Sequence, residues 1–254
     1  DTLLLGVAGS MGRNRSELDD NQTRLHADQR SLAVYGLWRI GEGLFVDALV
    51  ANGQLDFDLR RWSTEAQRVA QAERDGDQWF GSLAFGYDHR GDALTLTGYG
   101  RVDGSRTTLD GYTEQGAGIY DLVYRSQQVR NTALALGLEG SFQAPESLFR
   151  PFWSLEYRQA LNDKGNADLN YAQWGAPQDY RVNMQSYNDN ALTLAAGLDI
   201  QLGRSWMLSL LFGHEQARGA DSSRTLGLRL STGKGGSGAA GVSASEPEAK
   251  AASR

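Results

Sequence analysis

Few side chains in this sequence could activate a nucleophile or bind a metal ion, because it has no cysteine and only three histidines. The histidines lie far apart along the chain: His26, His89 and His214. A histidine beside a carboxylate can activate water for hydrolysis, and His214 has acids such as Asp110, Glu114 or Asp221 on neighbouring predicted loops. Acids are common throughout those loops, so the pattern favours surface histidines over a catalytic or metal site.

A second set of candidate residues consists of charges at alternate positions within otherwise apolar segments. They are Arg101, Asp103, Glu139, Glu156, Arg158, Asp199 and Arg229. Opposite charges on neighbouring strands can neutralise each other and fix the pairing of the strands. We therefore expect Arg101 to pair with Glu139, and Glu156 to pair with Arg158 or Asp199.

The elements that would position these charges are segments with a period of two. In the clearest of them, residues 191–202, Leu192, Leu194 and Leu198 alternate with Thr193 and Asp199. Each segment has about ten residues, the length of a tilted transmembrane strand. Ten such segments are predicted: residues 2–12, 31–40, 44–53, 79–90, 93–105, 132–142, 148–161, 191–202, 206–215 and 224–231.

The gaps between the segments alternate between long and short. Gaps such as 54–78 and 106–131 are long, whereas "GEG", "GD" and "GRS" are short. Outer-membrane barrels have short periplasmic turns and long extracellular loops, and a soluble β-sandwich has no reason to keep this rhythm. The sequence therefore predicts an all-β fold, a transmembrane antiparallel up-and-down β-barrel with both chain ends in the periplasm.

The two faces of the predicted strands have different environments. An Arg or Lys on the lipid side at the bilayer midplane costs about 2–4 kcal/mol, so the charged positions must face the lumen. The opposite, apolar positions would then contact outer-membrane lipid. The long gaps are expected to be solvated outer loops. Part of the gap 106–131, "IYDLVYRSQQV", is regular enough to extend the hairpin beyond the membrane.

Composition limits the functional classes further. The chain has 254 residues, 31 Gly, 4 Pro and a formal charge of −6, which argues against nucleic acid as a partner. Residues 1–232 are predicted to form the barrel domain. Residues 233–254, rich in Gly, Ala and Ser, are predicted to be a disordered periplasmic tail. No cofactor is indicated.

Several stretches resemble consecutive parts of a known family. In order, they are "SLAVYGLWRIGEGLFVDALVANGQLDFDLRR", "DGDQWFGSLAFGYDHR", "LTLTGYGRVDGSRTTLDGYTEQGAG" and "SRTLGLRLS". Together they resemble the autotransporter β-domain, the translocator of type V secretion. The resemblance implies a monomeric twelve-stranded barrel in the Gram-negative outer membrane. It also implies insertion by the barrel-assembly machinery, a linker helix in the lumen and delivery of an N-terminal passenger to the cell surface.

The sequence departs from that family pattern in two places. Ten strands are visible, so these would be the last ten of twelve, with the first strands, the linker helix and the passenger upstream of Asp1. The last strand keeps the spacing of the family's assembly signal at Leu226, Gly227, Leu228 and Leu230. Thr232 stands where family members usually have an aromatic residue.

Alternative functions remain open at this point. Ten strands also match omptin-type outer-membrane proteases, in which Asp and His at the outer rim activate water, and a passive porin or adhesin barrel is a further alternative. The resemblance implies that the lumen charges contact the helix or passenger. In some subfamilies acidic lumen residues promote passenger cleavage at an Asn of that helix, and Glu139, Glu156 and Asp199 would be the candidates. We expect no enzymatic activity of the chain itself.

Overall fold

A computed structural model describes residues 2–18, 23–144, 147–162, 164–173, 180–185, 190–203, 205–217 and 222–232. Nearly all of these residues lie in antiparallel strands. Asp221 and the tail 233–254 lie outside the described residues. None of the helical segments in the described part is long and apolar enough to cross a bilayer.

Fourteen strands, numbered in chain order, make up two sheets in the described part of the chain. They are β1 (Thr2–Leu18), β2 (Thr23–Ile40), β3 (Leu44–Ser63), β4 (Arg68–Arg90), β5 (Leu94–Leu109), β6 (Tyr112–Thr113), β7 (Leu122–Tyr124), β8 (Gln127–Phe142), β9 (Phe149–Asn162), β10 (Lys164–Tyr171), β11 (Tyr180–Gln185), β12 (Ala191–Leu202), β13 (Trp206–Ala217) and β14 (Ser223–Thr232). Ten of them form one up-and-down sheet in the order β1-β2-β3-β4-β5-β8-β9-β12-β13-β14. These ten strands contain the ten segments predicted from sequence, so the fold class is confirmed.

The strands are longer at their outer ends than the alternation predicted. The predicted loop 54–78 is largely a hairpin: β3 continues to Ser63, β4 starts at Arg68, and only residues 64–67 turn between them. The predicted loop 13–30 is likewise mostly strand, since β1 pairs with β2 out to Leu18 and Thr23. These loop predictions were wrong because the outward positions there are charged, which conceals the alternation from a search for apolar faces.

The two faces of the sheet match the predicted lipid and lumen sides. Val102, Leu136 and Leu194 are exposed on the outer face, and the neighbouring Asp103 and Ala135 are buried on the inner face. Alternation puts every second residue of a strand on the same face. The outward positions of the central strand segments therefore form a continuous apolar band, here called the membrane band, in which β3 contributes Leu44, Val46, Ala48 and Val50.

The second sheet branches from the wall of the first where β5 ends. Up to the pair Gly76 and Leu109, β4 is bonded to β5. Beyond that pair, the same edge of β4 is bonded to the segment of residues 110–126, here called the insert, through reciprocal backbone bonds of 2.9 Å between Gln71 and Gln115. The insert carries β6, one 3-10 turn (Gly118–Tyr120) and β7, and the sheet continues from β7 to β10 and β11. The predicted loop 106–131 thus continues the wall, as expected for its part 119–129.

Candidate functional site: the inner face of the barrel

The inner face of strands β4, β5, β8 and β9 carries the main cluster of buried charge. Small residues keep this face open for long side chains: Ala84, Ala133 and Ala135 are 7%, 1% and 2% exposed. Because these alanines alternate with outward leucines and phenylalanines, the sequence itself determines which face carries the charges.

Arg101 is the centre of this cluster. Its Nε donates to Asp103 Oδ1 and Oδ2 at 3.1 and 3.0 Å, and its Nη2 donates to Glu156 Oε1 at 2.8 Å. Ser82 Oγ also donates to Asp103 Oδ1 at 2.7 Å. The predicted pairing of Arg101 with Glu139 was wrong, because Asp103 on its own strand and Glu156 two strands away take up the guanidinium.

Tyr99 completes the cluster and was absent from the predicted charge set. Its hydroxyl donates to Glu156 Oε2 at 2.6 Å, so Glu156 accepts from both Tyr99 and Arg101. The ring lies across the backbone of Gly137, where an added Cβ would stand 2.2 Å from Tyr99 Cζ. Gly137 therefore provides the space that lets the phenol reach Glu156 two strands away.

A second inward cluster lies nearer the short turns. Asp88, 8% exposed, accepts from Arg39 Nη1 at 2.7 Å and from Thr97 Oγ1 at 2.8 Å. Arg90 lies 3.5 Å away from the same carboxylate. Asp88 and Arg39 were not among the predicted site residues, although both occupy inward positions of their strands. Their positions near segment ends, where turn residues are also polar, conceal the signal.

The other predicted lumen residues occupy inward-facing strand positions but lie outside these two clusters. Glu139 is half-buried opposite Thr97, and Arg158 lies opposite Ala135 and Ala191. Asp199 is the register partner of Arg150 and Ser209, and Arg229 on β14 is exposed. Among the described residues, the predicted pairing of Glu156 with Arg158 or Asp199 is not formed; Glu156 forms its ion pair with Arg101. What these residues contact in function stays a prediction.

A third cluster joins the insert to the inner face of the wall beyond the membrane band. Glu114, 5% exposed, receives both Nε and Nη2 of Arg61, and Leu122 N donates to its Oε2 at 3.0 Å. Arg61 Nη2 also donates to the Tyr120 carbonyl at 3.1 Å. The hydrogen bond from Arg61 to Glu114 raises the pKa of the guanidinium above its ordinary value. This bidentate pair fixes the insert in one orientation.

Aromatic residues of the insert pack beside this ion pair. The rings of Tyr112 and Tyr124 stack with centroids 4.6 Å apart, and the Arg74 guanidinium lies 5.4 Å from the Tyr112 ring. Burial raises the pKa of the Tyr112 phenol and lowers that of Arg74. Gly116 has φ of 121°, and an added Cβ would be 2.5 Å from the Val69 carbonyl oxygen, so only glycine fits this close approach.

In the part of the chain that the structure describes, which leaves out Asp221, His214 does not come together with the predicted acids Asp110 and Glu114. His214 occupies an outward position on β13 beside Leu194 and Arg224, whereas Glu114 lies on the inner side of the wall with its carboxylate held by Arg61. His26 lies on the outer surface of β2, 3.8 Å from Asp28. Within the described ranges, no group of three or more His, Cys, Asp or Glu side chains could hold a metal ion.

The strand predicted to carry the assembly signal lies at one end of the ten-stranded sheet order. On β14 the outward Leu226, Leu228 and Leu230 are 84%, 73% and 57% exposed, and Gly227 packs over Leu211 on the inner parity. β14 pairs with β13 along one edge. Whether these residues are read by an assembly machinery stays a prediction.

Comparison with known proteins identifies a family over most of the chain. A family described as "Autotransporter beta-domain" matches residues 1–213. Esterase EstA of Pseudomonas aeruginosa is 30% identical over 104 residues, covering 39% of this chain and 16% of the esterase. An uncharacterized protein from the trpE-trpG intergenic region of Pseudomonas putida is 27% identical over 148 residues, covering 56% of this chain and 25% of that protein. The chain thus spans about a quarter or less of these relatives.

Solved structures support the same fold. The translocator domain of the autotransporter NalP from Neisseria meningitidis matches with a TM-score of 0.65 and 19% identity, over 91% of this chain and 75% of that one. The Pseudomonas putida toluene transporter TodX matches with a TM-score of 0.52 and 11% identity, over 84% of this chain and 64% of that one. At these identities the likeness establishes the fold alone.

Proposed function

The chain belongs to the autotransporter β-domain family, and from that premise we propose that it carries an upstream passenger across the outer membrane. The chain is an outer-membrane β-barrel domain of a translocator, as its family membership establishes. In the proposed mechanism the passenger crosses inside the barrel in an extended or helical form. The wall contributes a passage lined by polar groups and a lipid-facing exterior, and the strands pair their backbone groups with one another.

The observation that carries this proposal is the division of the wall into two chemically distinct faces. Ser82 and Leu83 are adjacent on β4, yet Ser82 donates to Asp103 in the inner cluster while Leu83 is 55% exposed on the outside. A polypeptide in transit would meet hydrogen-bonding groups that are already satisfied, and therefore would not be held tightly. A satisfied polar lining suits conduction better than a set of free charges.

We propose that a linker helix upstream of the chain contacts the inner clusters. Glu156 and Asp103 both accept hydrogen bonds from Arg101, so this part of the lining offers both signs of charge within one site. Glu139, half-buried and opposite Thr97, is an inner acid that forms no ion pair among the described residues. It is our first candidate for contact with the helix.

We further propose that β14 is recognised during assembly by the barrel-assembly machinery. Its outward leucines are among the more exposed apolar side chains of the described structure. A strand with one paired edge and such an apolar face is a suitable substrate for β-augmentation. The proposed assembled state is a monomeric barrel completed by strands upstream of Asp1.

We propose that the chain has no catalytic activity of its own. The omptin-type alternative needs a histidine and acids on the same rim, but His214 points outward and Glu114 is held by Arg61. EstA is named an esterase, and only 16% of it is covered by the match to this chain. In our proposal any such activity of a related whole protein belongs to residues outside the matched part.

The proposal is tested by expressing the gene with an epitope in the region upstream of Asp1 in a Gram-negative host. Antibody labelling of intact cells should detect the epitope, and labelling should be lost when the barrel cannot assemble. If the barrel is correctly assembled but the epitope stays in the periplasm, the result would support the passive-porin alternative. Proteolysis of added substrates that depends on His214 would support the protease alternative.

A further inference from the structure

Two arginines stand opposite each other on the outer surface of the wall, just beyond the membrane band. Arg106 on β5 and Arg130 on β8 are register partners, and both side chains are exposed. Residues directly opposite on one face of an antiparallel pair have Cβ atoms about 5 Å apart, and like charges there destabilise the pair. The sheet thus brings together two positive charges that would repel each other without an anion between them.

The structure provides little to neutralise this pair. Among the described residues, neither Arg106 nor Arg130 takes part in an ion pair, and the one hydrogen bond given for the two side chains runs from Arg130 Nε to the neutral Gln128 Oε1 at 2.9 Å. Of the acids that the structure describes, the outward one closest in register is Asp77, which lies opposite Thr108 and is diagonal to Arg106. One described acid against two guanidinium groups leaves this part of the wall positive.

Two other outward arginines, by contrast, are paired with an acid. Arg13 contacts Asp28 at 2.8 Å, and Arg24 contacts Glu17 at 3.6 Å. Arg24 also faces Arg60 in register, so a second arginine pair exists on the same outer face. The pair of Arg24 and Arg60 differs in two ways: Glu17 lies beside it, and the pair is much further from the membrane band.

The height of Arg106 and Arg130 on the wall matches the lipid headgroups. Each lies four residues beyond an exposed apolar residue of the membrane band, Val102 on β5 and Leu134 on β8. At about 3.3 Å per residue and a tilt of about 45°, this is about 9 Å along the membrane normal. Trp79, 55% exposed, is the register partner of Arg106 on the other side, and tryptophan is enriched at this interface.

We propose that Arg106 and Arg130 bind the phosphate group of an outer-leaflet lipid, with Trp79 packed against the adjoining part of the lipid. Two guanidinium groups side by side offer the planar sets of N–H donors that match phosphate oxygens. A lipid phosphate is the anion available at this height, and the acyl chains below it would contact Val102 and Leu134. The bound lipid would relieve the repulsion between the two strands and anchor the barrel at a fixed depth.

Binding is measured on the intact chain extracted from the outer membrane in mild detergent and exchanged free of lipid. The probes are bisphosphorylated lipid A and the same lipid with its phosphates removed, and the readout is native mass spectrometry. The unaltered chain should retain the phosphorylated lipid about 30-fold more tightly, since each arginine near the surface contributes about 1 kcal/mol. The difference in retention between the two lipids should shrink when the salt concentration is raised about tenfold, from about 0.05 to about 0.5 M.

Two double variants separate this site from general surface charge. Arg106→Gln with Arg130→Gln should abolish the preference for the phosphorylated lipid, whereas Arg24→Gln with Arg60→Gln should leave it unchanged. A change in gel migration on heating checks that each double variant is folded. If Arg106→Gln with Arg130→Gln does not fold, the comparison of the two lipids on the unaltered chain tests the proposal. Equal retention of both lipids by the unaltered chain, or equal preference in both double variants, would overturn the proposal. Inorganic phosphate binding as tightly as the lipid would overturn the assignment to a lipid.

Discussion

Strand β3 passes through two regions in which its outer face has opposite chemistry. Between Leu44 and Val50 its outward residues are apolar, and Asp47 is an inward residue. Between Gln54 and Arg60 its outward residues are polar or charged, and Leu55, Phe57 and Leu59 point inward. The alternation continues without a slip in register across the change, because β3 pairs with β2 and β4 throughout.

The comparison shows that the medium outside the wall determines the pattern. Lipid accepts only apolar side chains on the outer face, so polar groups are confined to the inside. Where the wall rises out of the lipid, water accepts charges on the outer face, and the inner face can carry the apolar residues. The inversion near Gly53 therefore marks the outer boundary of the membrane band on this strand.

The largest expected effect comes from placing one charge at matched outward positions in the two regions. Ala48→Arg should destabilise the assembled barrel by about 2–4 kcal/mol, because the guanidinium would enter the lipid near the bilayer midplane. Asp56→Arg, on the same face of the same strand, should change stability by less than about 0.5 kcal/mol, as is usual for a solvated surface position. The measurement is the midpoint of urea unfolding in lipid vesicles. Similar losses for both variants would contradict the boundary.

The inner cluster of the membrane-spanning region should show strong coupling between its members. Arg101→Gln leaves Asp103 and Glu156 without their cation, and we expect a loss of about 1–3 kcal/mol because partly buried charges lose their partner. Glu156→Gln added to Arg101→Gln should cost less than the sum of the two single changes. The measurement is a double-mutant cycle on unfolding midpoints. Strict additivity would mean that the two residues act independently.

The corresponding pair beyond the membrane band should affect the insert but not the barrel. Arg61→Gln removes the bidentate partner of Glu114, so the insert should detach from the wall more often. We expect at least a fivefold faster protease cleavage within residues 110–126, equivalent to about 1 kcal/mol. The unfolding midpoint of the barrel should stay unchanged.

Arg60→Gln is the matched control for that experiment, since Arg60 precedes Arg61 on β3 but faces outward. Cleavage of the insert in this variant should match that of the unaltered chain. Equal acceleration in both variants would indicate a general loosening of the hairpin. Loss of barrel stability in Arg61→Gln would show that the two regions are not independent.

The smallest expected effect is on the ionisation of the tyrosine stacked in the insert. Burial raises the pKa of Tyr112, so its neutral form is favoured in the folded state. Its contribution to docking is therefore complete below the ordinary tyrosine pKa of about 10 and is lost as pH rises through the raised value. Absorbance titration at alkaline pH should show one late phenol fewer in Tyr112→Phe. A Tyr112→Phe variant that keeps every late phenol would contradict this packing.

The sequence was sufficient to predict the strands of the membrane band and their faces. Lipid makes the outer face uniformly apolar, so residues such as Leu192 and Leu194 signal the strand directly. Beyond the band that signal inverts, and the extensions of β3 and β4 were therefore predicted as loops. Residues 119–129 of the insert region were expected to extend the hairpin, but the second sheet was not predicted, because its strands are short and depend on contacts with residues distant in sequence, such as Gln71.

The sequence predicted on which face of the wall the residues of the candidate site lie, but not which of them pair with each other. Alternation placed Arg101, Asp103 and Glu156 on one side of the wall, as found. The choice of Asp103 and Glu156 over Glu139 as partners of Arg101 depends on how far each side chain reaches across the sheet. Tyr99 reaches Glu156 only because Gly137 leaves room for its ring. Such steric details follow from register, which composition and period do not specify.

The central claim is that the passenger crosses inside the wall, and the absence of cysteine from the chain makes it directly testable. Ser82→Cys and Leu83→Cys place single thiols at adjacent positions on the two faces of β4. A cysteine in a passenger stalled during export should form a disulfide with the thiol at position 82 and none with that at position 83. Crosslinking at both positions alike, or at position 83 alone, would contradict transit through the barrel.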